Sequence, residues 1–183
     1  MHPTGRHIFE TAFGFCGVVW GENGLSRLVL PSKSAQHVEE QLATNLHGPV
    51  LSPPHQVVAL IASIQRYFHG ELEDFSNVPL DFTGTPPFHR TLYTAMRRLG
   101  YGETTTYGDL CKSVGFPTAA RETGAAMGRN PVPLIIPCHR VLAAGGRIGG
   151  FSADGGVRMK RRMLALERAR PPLTDPAQAS FPF

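Results

Sequence analysis

The chain has 183 residues, enough for one large domain or two small ones, and it is 42% hydrophobic and 17% charged, which is typical of a globular protein and not of a disordered one. No apolar run approaches the ~20 residues that would span a membrane, and the N-terminus lacks the basic and apolar stretches of a signal peptide, so we expect a cytoplasmic protein. Residues 1–87 carry 4 Lys/Arg against 8 Asp/Glu, whereas residues 88–170 carry 14 against 5. The basic second part favours a polyanionic partner, and the alternative is an unevenly charged solvated surface.

The first part of the chain begins with strand patterns. Residues 7–20 alternate between apolar and polar side chains and are rich in β-branched and aromatic residues, which predicts strand structure. A Gly-Glu-Asn-Gly turn at 21–24 precedes a second strand pattern at 25–31, which ends at Pro31. These residues therefore predict a small sheet at the start of the chain.

Two helices are expected after the strands. Ser34 can cap a helix that reaches about Asn45. A second helix should end at Gly70, because Gly is the usual residue after a helix C-terminus, and its apolar spacing places four side chains on one face: Val58, Ile61, Ile64 and Phe68. A further strand is predicted in residues 78–88, followed by a proline break.

The proline break coincides with the change of charge, so we place a domain boundary there. The predicted domains are residues 1–86 and 87–170, followed by a proline-rich tail at 171–183 that we expect to be loosely ordered. The second domain is predicted to be mainly helical. It has one helix pattern at 88–103 and two short ones. The first, at 105–115, is opened by a threonine cap, and the second, at 116–131, is opened by Pro117 or Thr118. Joined by a Gly-Phe-Pro turn, the two short helices form a helix-turn-helix pattern.

Three cysteines occur in the chain: Cys16, Cys111 and Cys138. An odd, sparse count without a secretion signal argues against a disulfide framework, and the lack of a Cys-x-x-Cys motif argues against a metal site. The apolar surroundings of Cys16 and Cys111 indicate packing residues. Cys138 lies in the motif Ile-Pro-Cys-His-Arg-Val, where a structural thiol, a metal ligand and a nucleophile are all open interpretations.

Three stretches of the second part carry a resemblance to a known family: residues 84–110, residues 119–141 around Cys138, and residues 146–167. In this order they resemble the O6-alkylguanine-DNA alkyltransferases, also called methylated-DNA–protein-cysteine methyltransferases. The resemblance implies an α/β N-terminal RNase H-like domain and a mainly α-helical C-terminal domain with a helix-turn-helix. It implies a monomer that acts on double-stranded DNA carrying O6-alkylguanine and transfers the alkyl group irreversibly to its own cysteine, once and without a cofactor.

The resemblance assigns the chemistry to five residues, one of which, Tyr107, also contacts the flipped nucleotide. Cys138 is the nucleophile, and because only a thiolate attacks and a free thiol has a pKa of about 8.5, a base must assist it. His139 is the expected base, acting through a bridging water, and Glu167 is the carboxylate that orients His139. Asn130 is expected to tie the helix-turn-helix to the turn that holds Cys138.

The resemblance also assigns residues that bind the flipped-out nucleotide. Ser152 matches the position whose backbone amide meets guanine O6, and Phe151 occupies a position where many members have tyrosine. Met127 matches a residue that packs on the base. Tyr107 matches a tyrosine that contacts the nucleotide's phosphate and donates a proton toward the departing guanine.

Arg121 matches the arginine that fills the gap left by the flipped base, since a base inside a duplex must leave the stack to reach a buried cysteine. Arg140 is also expected among the DNA-binding residues. Glu122 departs from the family, which has a small apolar residue there facing the minor groove. The zinc ligands of some relatives have no clear counterparts in this sequence, which again predicts no metal.

Two other functions compete with alkyl transfer. A lesion-binding relative would mark damage for other enzymes, but such proteins usually lack the nucleophile that is present here. A Cys–His hydrolase would need an oxyanion site that the sequence does not signal, and it would leave the basic helix-turn-helix unexplained. The sequence does not decide which alkyl groups are accepted or whether O4-alkylthymine is repaired.

Overall fold

A computed structural model of the protein describes residues 5–43 and 51–169. These residues form two compact units, one extending to Thr83 and including Pro131–Pro133, the other comprising Gly84–Asn130 and the residues from Leu134 onward. The domain limits at residues 1–86 and 87–170 remain predictions. The predicted tail at 171–183 lies outside the described residues. Within the described ranges, no helix is both long enough and apolar enough to cross a membrane.

The first unit contains a three-stranded antiparallel sheet. Its strands are β1 (Gly5–Thr11), β2 (Gly14–Gly21) and β3 (Gly24–Ser32), paired in the order β1-β2-β3. The expected strands and the turn at 21–24 are thus present, although Pro31 lies inside β3 and does not end it. The strand expected in residues 78–88 is absent, because only Leu80 pairs there, in a single parallel bridge with Leu25.

Two helices pack on this sheet, α1 (Ala35–Ala43) and α2 (His55–Phe68). The start of α1 is fixed by Ser34, whose hydroxyl accepts a hydrogen bond from the His37 amide. The predicted end of α1 at Asn45 lies outside the described residues. The core between α1 and the sheet is a cluster of buried apolar side chains: Val19, Val29, Val38 and Leu42.

The apolar face of α2 is rotated slightly from the predicted one. Val57, Ile61 and Ile64 are buried, whereas Val58 is 49% exposed. Ile61 and Ile64 satisfy the helical period together with either valine, so the spacing alone did not distinguish Val57 from Val58.

The second unit is mainly helical. Its helices are α3 (Pro87–Met96), α4 (Tyr107–Ser113), α5 (Ala120–Gly128) and α6 (Gly156–Leu166). The core of this unit includes Leu92, Met96, Leu110 and Met163, all of which are buried. This arrangement matches the predicted fold class, an N-terminal sheet with helices followed by a helical domain.

The helix-turn-helix consists of α4 and α5, which pack against each other. Thr106 caps α4 as predicted, because its hydroxyl accepts from the Asp109 amide at 3.1 Å and donates to the Asp109 carboxylate at 2.7 Å. The second helix begins at Ala120, two or three residues later than the sequence suggested.

A short parallel pairing positions the chemical groups of the second unit. Strand β4 (Thr105–Thr106) pairs with β5 (Val141–Leu142). Tyr107 follows β4 directly and opens α4, while the turn Cys138–Arg140 directly precedes β5. The pairing therefore holds the start of the helix-turn-helix beside the segment that carries the reactive thiol.

Candidate active site

Cys138 lies in a tight turn at the end of a buried apolar segment. Leu134, Ile135 and Ile136 are almost completely buried, and they lead into a single 3-10 turn that comprises Cys138–Arg140. The Cys138 amide donates to the Ile136 carbonyl at 2.8 Å. Cys138 is 6% exposed, and its sulfur is a free thiol.

A pocket of about 280 Å³ opens onto Cys138. Its wall consists of side chains and backbone from α4, α5, the cysteine turn and the loop before α6: Tyr107, Gly124, Met127, Gly128, Cys138, Gly150, Phe151 and Ser152. All the residues that the sequence assigned to the flipped nucleotide's pocket are in this set. The volume is near the lower end for small-molecule sites, and the aromatic and apolar walls suit a flat ring.

Glu167 is the hub of a hydrogen-bond network behind the thiol. Its Oε1 lies 2.8 Å from His139 Nε2 and 2.9 Å from Arg140 Nη2, and its Oε2 accepts from Arg140 Nε at 2.9 Å and from the Gly102 amide at 3.1 Å. The carboxylate is 3% exposed. Burial by itself raises the pKa of Glu167, but His139 and Arg140 outweigh that effect and hold the pKa well below its usual value. The carboxylate is therefore ionised at neutral pH.

His139 is completely buried, and burial lowers its pKa, while Glu167 acts in the opposite direction. The imidazole is therefore neutral at rest. With Nε2 as the nitrogen that donates to Glu167, Nδ1 carries the lone pair, and Nδ1 forms no hydrogen bond with any of the protein atoms that the structure describes. A neutral imidazole whose tautomer is fixed in this way is equipped to accept a proton at Nδ1.

Asn130 contacts the cysteine turn directly. Its side-chain amide donates to the Ile136 carbonyl at 2.8 Å. Burial raises the pKa of the Cys138 thiol, and a hydrogen bond from Asn130 lowers it in part. The amide thus fixes the backbone before the nucleophile and also favours its thiolate.

Tyr107 stands at the first position of α4 and lines the pocket. Burial raises its pKa, and the nearby Cys138 thiolate raises it further. The phenol therefore keeps its proton over the physiological range and can act as a hydrogen-bond donor or an acid toward a bound ring.

Arg121 and Glu122 lie apart from the pocket lining, in the first turn of α5. Both are exposed, and neither lines the pocket. The exposed guanidinium of Arg121 is accessible to a ligand such as DNA. Its contact with DNA remains a prediction.

Arg140 requires a correction. The sequence predicts that it binds DNA, but the structure buries its guanidinium to 6% exposure and pairs it with Glu167 through two nitrogens. Its Nη1 donates to the Leu99 carbonyl at 2.6 Å. These bonds join Arg140 to Glu167 and His139 in one buried network, which we call the relay. The planar guanidinium of arginine suits such a two-point contact with a carboxylate.

Sequence reasoning missed three contributors to the site. The Gly102 amide donates to Glu167, and Gly102 has φ = 76°, a conformation that favours glycine. Gly124 and Gly128 leave the pocket side of α5 open, since a Cβ at either position would meet nothing within 4 Å. Two glycines four residues apart within a helix pattern are a detectable signal, because each costs helix stability.

Lys160 was also missed. It is completely buried on α6, and its Nζ lies 5.9 Å from the ring centroid of Tyr107 and 6.0 Å from that of Phe151, two walls of the pocket. The sequence did signal its burial, because Met163 and Leu164 follow Lys160 at helical spacing and place it on the apolar face of the helix. As to metals, residues 5–43 and 51–169 contain no group of three or more His, Cys, Asp and Glu side chains arranged to hold an ion.

Comparison with known proteins identifies the family. Residues 87–169 match the family model described as the DNA-binding domain of 6-O-methylguanine DNA methyltransferase. The methylated-DNA–protein-cysteine methyltransferase of Haemophilus influenzae is 40% identical over 151 residues, which cover 79% of this chain and 82% of the relative. A protein of the same name from Methanothermobacter thermautotrophicus is 32% identical over 82% of this chain and 78% of its own length.

Solved structures give the same result. A crystal structure of Mycobacterium tuberculosis OGT in complex with DNA superimposes with a TM-score of 0.70 at 30% identity, covering 90% of this chain and 93% of that one. The crystal structure of the O6-methylguanine methyltransferase of the same organism has the same TM-score and identity, with 94% and 96% coverage. The chain therefore belongs to the O6-methylguanine DNA methyltransferase family, the methylated-DNA–protein-cysteine methyltransferases.

Proposed function

We propose that this protein repairs O6-alkylguanine in double-stranded DNA by transferring the alkyl group to the sulfur of Cys138, once per protein molecule. The observation that carries the proposal is the position of Cys138, which lines a pocket on one side while its neighbour His139 is paired with buried Glu167 at 2.8 Å on the other. Family membership and the basic second part of the chain support DNA as the partner.

The first step is removal of the thiol proton. The burial that raises the pKa of Cys138 keeps the resting group a thiol, so a base is required. We assign the base to Nδ1 of His139, reached through one water, because Nε2 is committed to Glu167. The S–H electron pair stays on sulfur, and the imidazolium that forms is stabilised by the Glu167 carboxylate.

The second step is an in-line displacement at the alkyl carbon. The thiolate forms an S–C bond while the C–O6 bond breaks, and that electron pair leaves with the purine. Tyr107, which its raised pKa keeps protonated until this step, supplies a proton to the departing guanine and recovers one from the imidazolium by way of solvent. The product is neutral guanine and a thioether. No group of the proposed site removes the alkyl group from sulfur, which accounts for a single turnover.

The target base must enter the pocket from outside the helix stack. Flipping costs a few kcal/mol, and we assign Arg121 to the vacated space because it is exposed at the start of α5, the helix that also bears Met127 and two pocket glycines. We assign Met127 to pack on the base, Phe151 to wall the pocket and the Ser152 backbone amide to O6, since all three residues line the pocket. Phe151 has no hydroxyl, so in this chain the aromatic wall contributes stacking only.

Mass spectrometry tests the proposal. After incubation with a duplex oligonucleotide carrying O6-methylguanine, we expect a permanent gain of one methyl group, located on Cys138 by peptide mapping. Cys138→Ser should gain none while keeping its fold and duplex affinity. Methyl transfer to Cys16 or Cys111 would contradict the assignment. DNA binding without any gain would favour lesion marking, and neither binding nor gain would favour another reaction of the Cys–His pair.

A further inference from the structure

Lys160 is a buried cation beside the proposed nucleophile. It lies on the inner face of α6 with Met159, Met163 and Leu164, all of which are buried, and its own exposure is 0%. Its Nζ donates one hydrogen bond, to the Val141 carbonyl in β5, at 2.6 Å. A lysine at this depth has lost nearly all contact with solvent, and this loss disfavours its charged form unless another group compensates.

No carboxylate among residues 5–43 and 51–169 pairs with Lys160. The nearby Glu167 accepts hydrogen bonds from His139, Arg140 and the Gly102 amide, and no salt bridge joins it to the lysine. Burying an ammonium without an opposite charge is unfavourable, and burial accordingly lowers the pKa of Lys160 to about 8. A helix face packed with methionine and leucine would be more stable with an apolar residue here.

The groups that surround Lys160 belong to the pocket and to the relay. The ring centroids of Tyr107 and Phe151 lie 5.9 and 6.0 Å from Nζ, at the edge of cation–π range. Two further titratable groups interact with the ammonium electrostatically: Cys138, whose thiolate raises the pKa of Lys160, and His139, whose pKa Lys160 lowers. Of these partners, only the Cys138 thiolate carries a negative charge before the S–C bond forms.

We propose that Lys160 is a positioning residue for alkyl transfer, whose buried ammonium holds the negative charge of the Cys138 thiolate beside the pocket until the S–C bond forms. The proposal rests on the function proposed above, in which Cys138 is the nucleophile. When His139 takes the thiol proton, an imidazolium and a thiolate exist together in a medium of low dielectric. Glu167 lies against the imidazolium, and Lys160 provides the matching charge for the thiolate.

The hydrogen bond to Val141 suggests a competing, purely structural role, in which Lys160 only ties α6 to β5. Lys160→Gln and Lys160→Met separate the two roles. Glutamine keeps a side-chain donor without the charge, and methionine keeps an unbranched chain without either. Arg161→Gln is the matched control, because it removes a positive charge from the next position of the same helix, where the side chain is exposed.

The measurement is the rate at which free O6-benzylguanine alkylates Cys138 in the absence of DNA, taken well below the pKa of about 8 of Lys160, where the ammonium is charged, and again above it. Below that pKa we expect both Lys160 variants to react about tenfold more slowly than the wild type, the equivalent of about one pKa unit of thiolate stabilisation, and the difference should shrink above it, where the wild-type lysine is itself neutral. Arg161→Gln should react like the wild type in both ranges. A wild-type rate below the Lys160 pKa in both variants, or in Lys160→Gln alone, would overturn the proposal.

A second measurement does not depend on how well the Lys160 variants fold. Coupling between two charges is reciprocal, so a negative charge at position 138 must raise the pKa of Lys160. Cys138→Asp supplies such a charge and Cys138→Ser lacks it, and the side-chain carbon resonance next to Nζ reports the Lys160 titration in each. An identical Lys160 titration in these two variants would overturn the proposal even if Cys138 is the methyl acceptor, whereas methyl transfer to another residue would overturn the proposed function itself.

Discussion

The relay around Glu167 and the first turn of α5 are two parts of one proposed reaction, and they are built on opposite principles. Glu167, His139 and Arg140 are buried and joined by hydrogen bonds of 2.8–2.9 Å. Arg121 and Glu122 are exposed, and neither lines the pocket. The residues proposed for the chemistry are therefore held together by contacts within the protein, whereas the side chains proposed to meet DNA are exposed to solvent.

This difference determines how each part responds to change. A buried network loses its function as a unit, because each member holds the others and an unpaired buried charge is costly. An exposed side chain contributes separately, and its effect is reduced by salt and solvent. Large, non-additive effects are thus expected in the relay, and small, salt-dependent ones at α5.

The largest effect is expected from breaking the relay. His139→Ala and Glu167→Gln should each slow transfer to a methylated duplex by about 10²–10³-fold, since the first removes the base and the second removes the charge that supports the imidazolium. The double variant should be little slower than His139→Ala alone, because the two residues act as one unit. Single-turnover rates, with duplex affinity as the control for folding, measure this. Effects that multiply in the double variant would mean that the residues act independently.

The next effect concerns the backbone that supports Glu167. Gly102→Ala would place a Cβ 2.8 Å from the Glu167 carbonyl oxygen at a residue with φ = 76°. We expect a loss of about 1–3 kcal/mol in the free energy of unfolding and a slower transfer, since the same residue's amide donates to the carboxylate. Denaturant unfolding and single-turnover rates check it. Gly84→Ala is the control, because its φ is also positive but no atom lies within 4 Å of the added Cβ; equal rate losses in the two variants would contradict a specific effect on the relay.

The sequence identified residues of the relay but not the contacts between them. Cys138, His139 and Glu167 were assigned through a motif, but nothing in the spacing shows that Arg140 turns inward to Glu167 or that the Gly102 amide, 65 residues away, donates to the same carboxylate. Such contacts depend on how distant segments pack, and local patterns carry no information about that. Arg140 was therefore assigned to DNA binding, which is the usual role of an arginine in a basic domain.

The elements were predicted where local rules decide them. Thr106 and Ser34 cap helices as their side-chain chemistry requires, and the turn at 21–24 joins two paired strands. The predicted strand around Leu80 failed because its alternation was short and interrupted by prolines, and tertiary context gave it a single bridge. Lys160 was missed because a lysine in a run of basic residues is usually exposed, although its spacing from Met163 and Leu164 places it on the apolar face of α6.

A moderate effect is expected at Arg121. Arg121→Ala should slow repair of a methylated duplex by about 10-fold or more, because a residue that holds the gap offsets part of the few kcal/mol that flipping costs. Reaction with free O6-benzylguanine, which needs no flipping, should be nearly unchanged. Arg129→Ala, at the other end of α5 and also exposed, is the matched control for the loss of one positive charge. Equal slowing of both substrates by Arg121→Ala would rule out the gap-filling role.

The smallest effect is expected at Glu122, and it gives the finest test of where α5 faces DNA. The carboxylate lies in the first turn of α5, next to Arg121, and it is exposed. If the first turn of α5 lies near DNA phosphates, the Glu122 carboxylate repels them. Glu122→Ala should therefore tighten duplex binding by about 2–5-fold, which corresponds to the free energy of a solvent-exposed charge pair. The gain should be greatest at low salt and shrink as salt screens the repulsion.

The expected gain from Glu122→Ala is measured as duplex affinity across a salt series, with Glu103→Gln as a control that removes an exposed negative charge elsewhere in the same unit. If both variants gain equally, the cause is net charge and not position. If Glu122→Ala leaves the affinity unchanged even at the lowest salt, the start of α5 faces away from the phosphates. Arg121 would then need a different path to the vacated stack, whereas the contacts proposed for the buried relay would be unaffected.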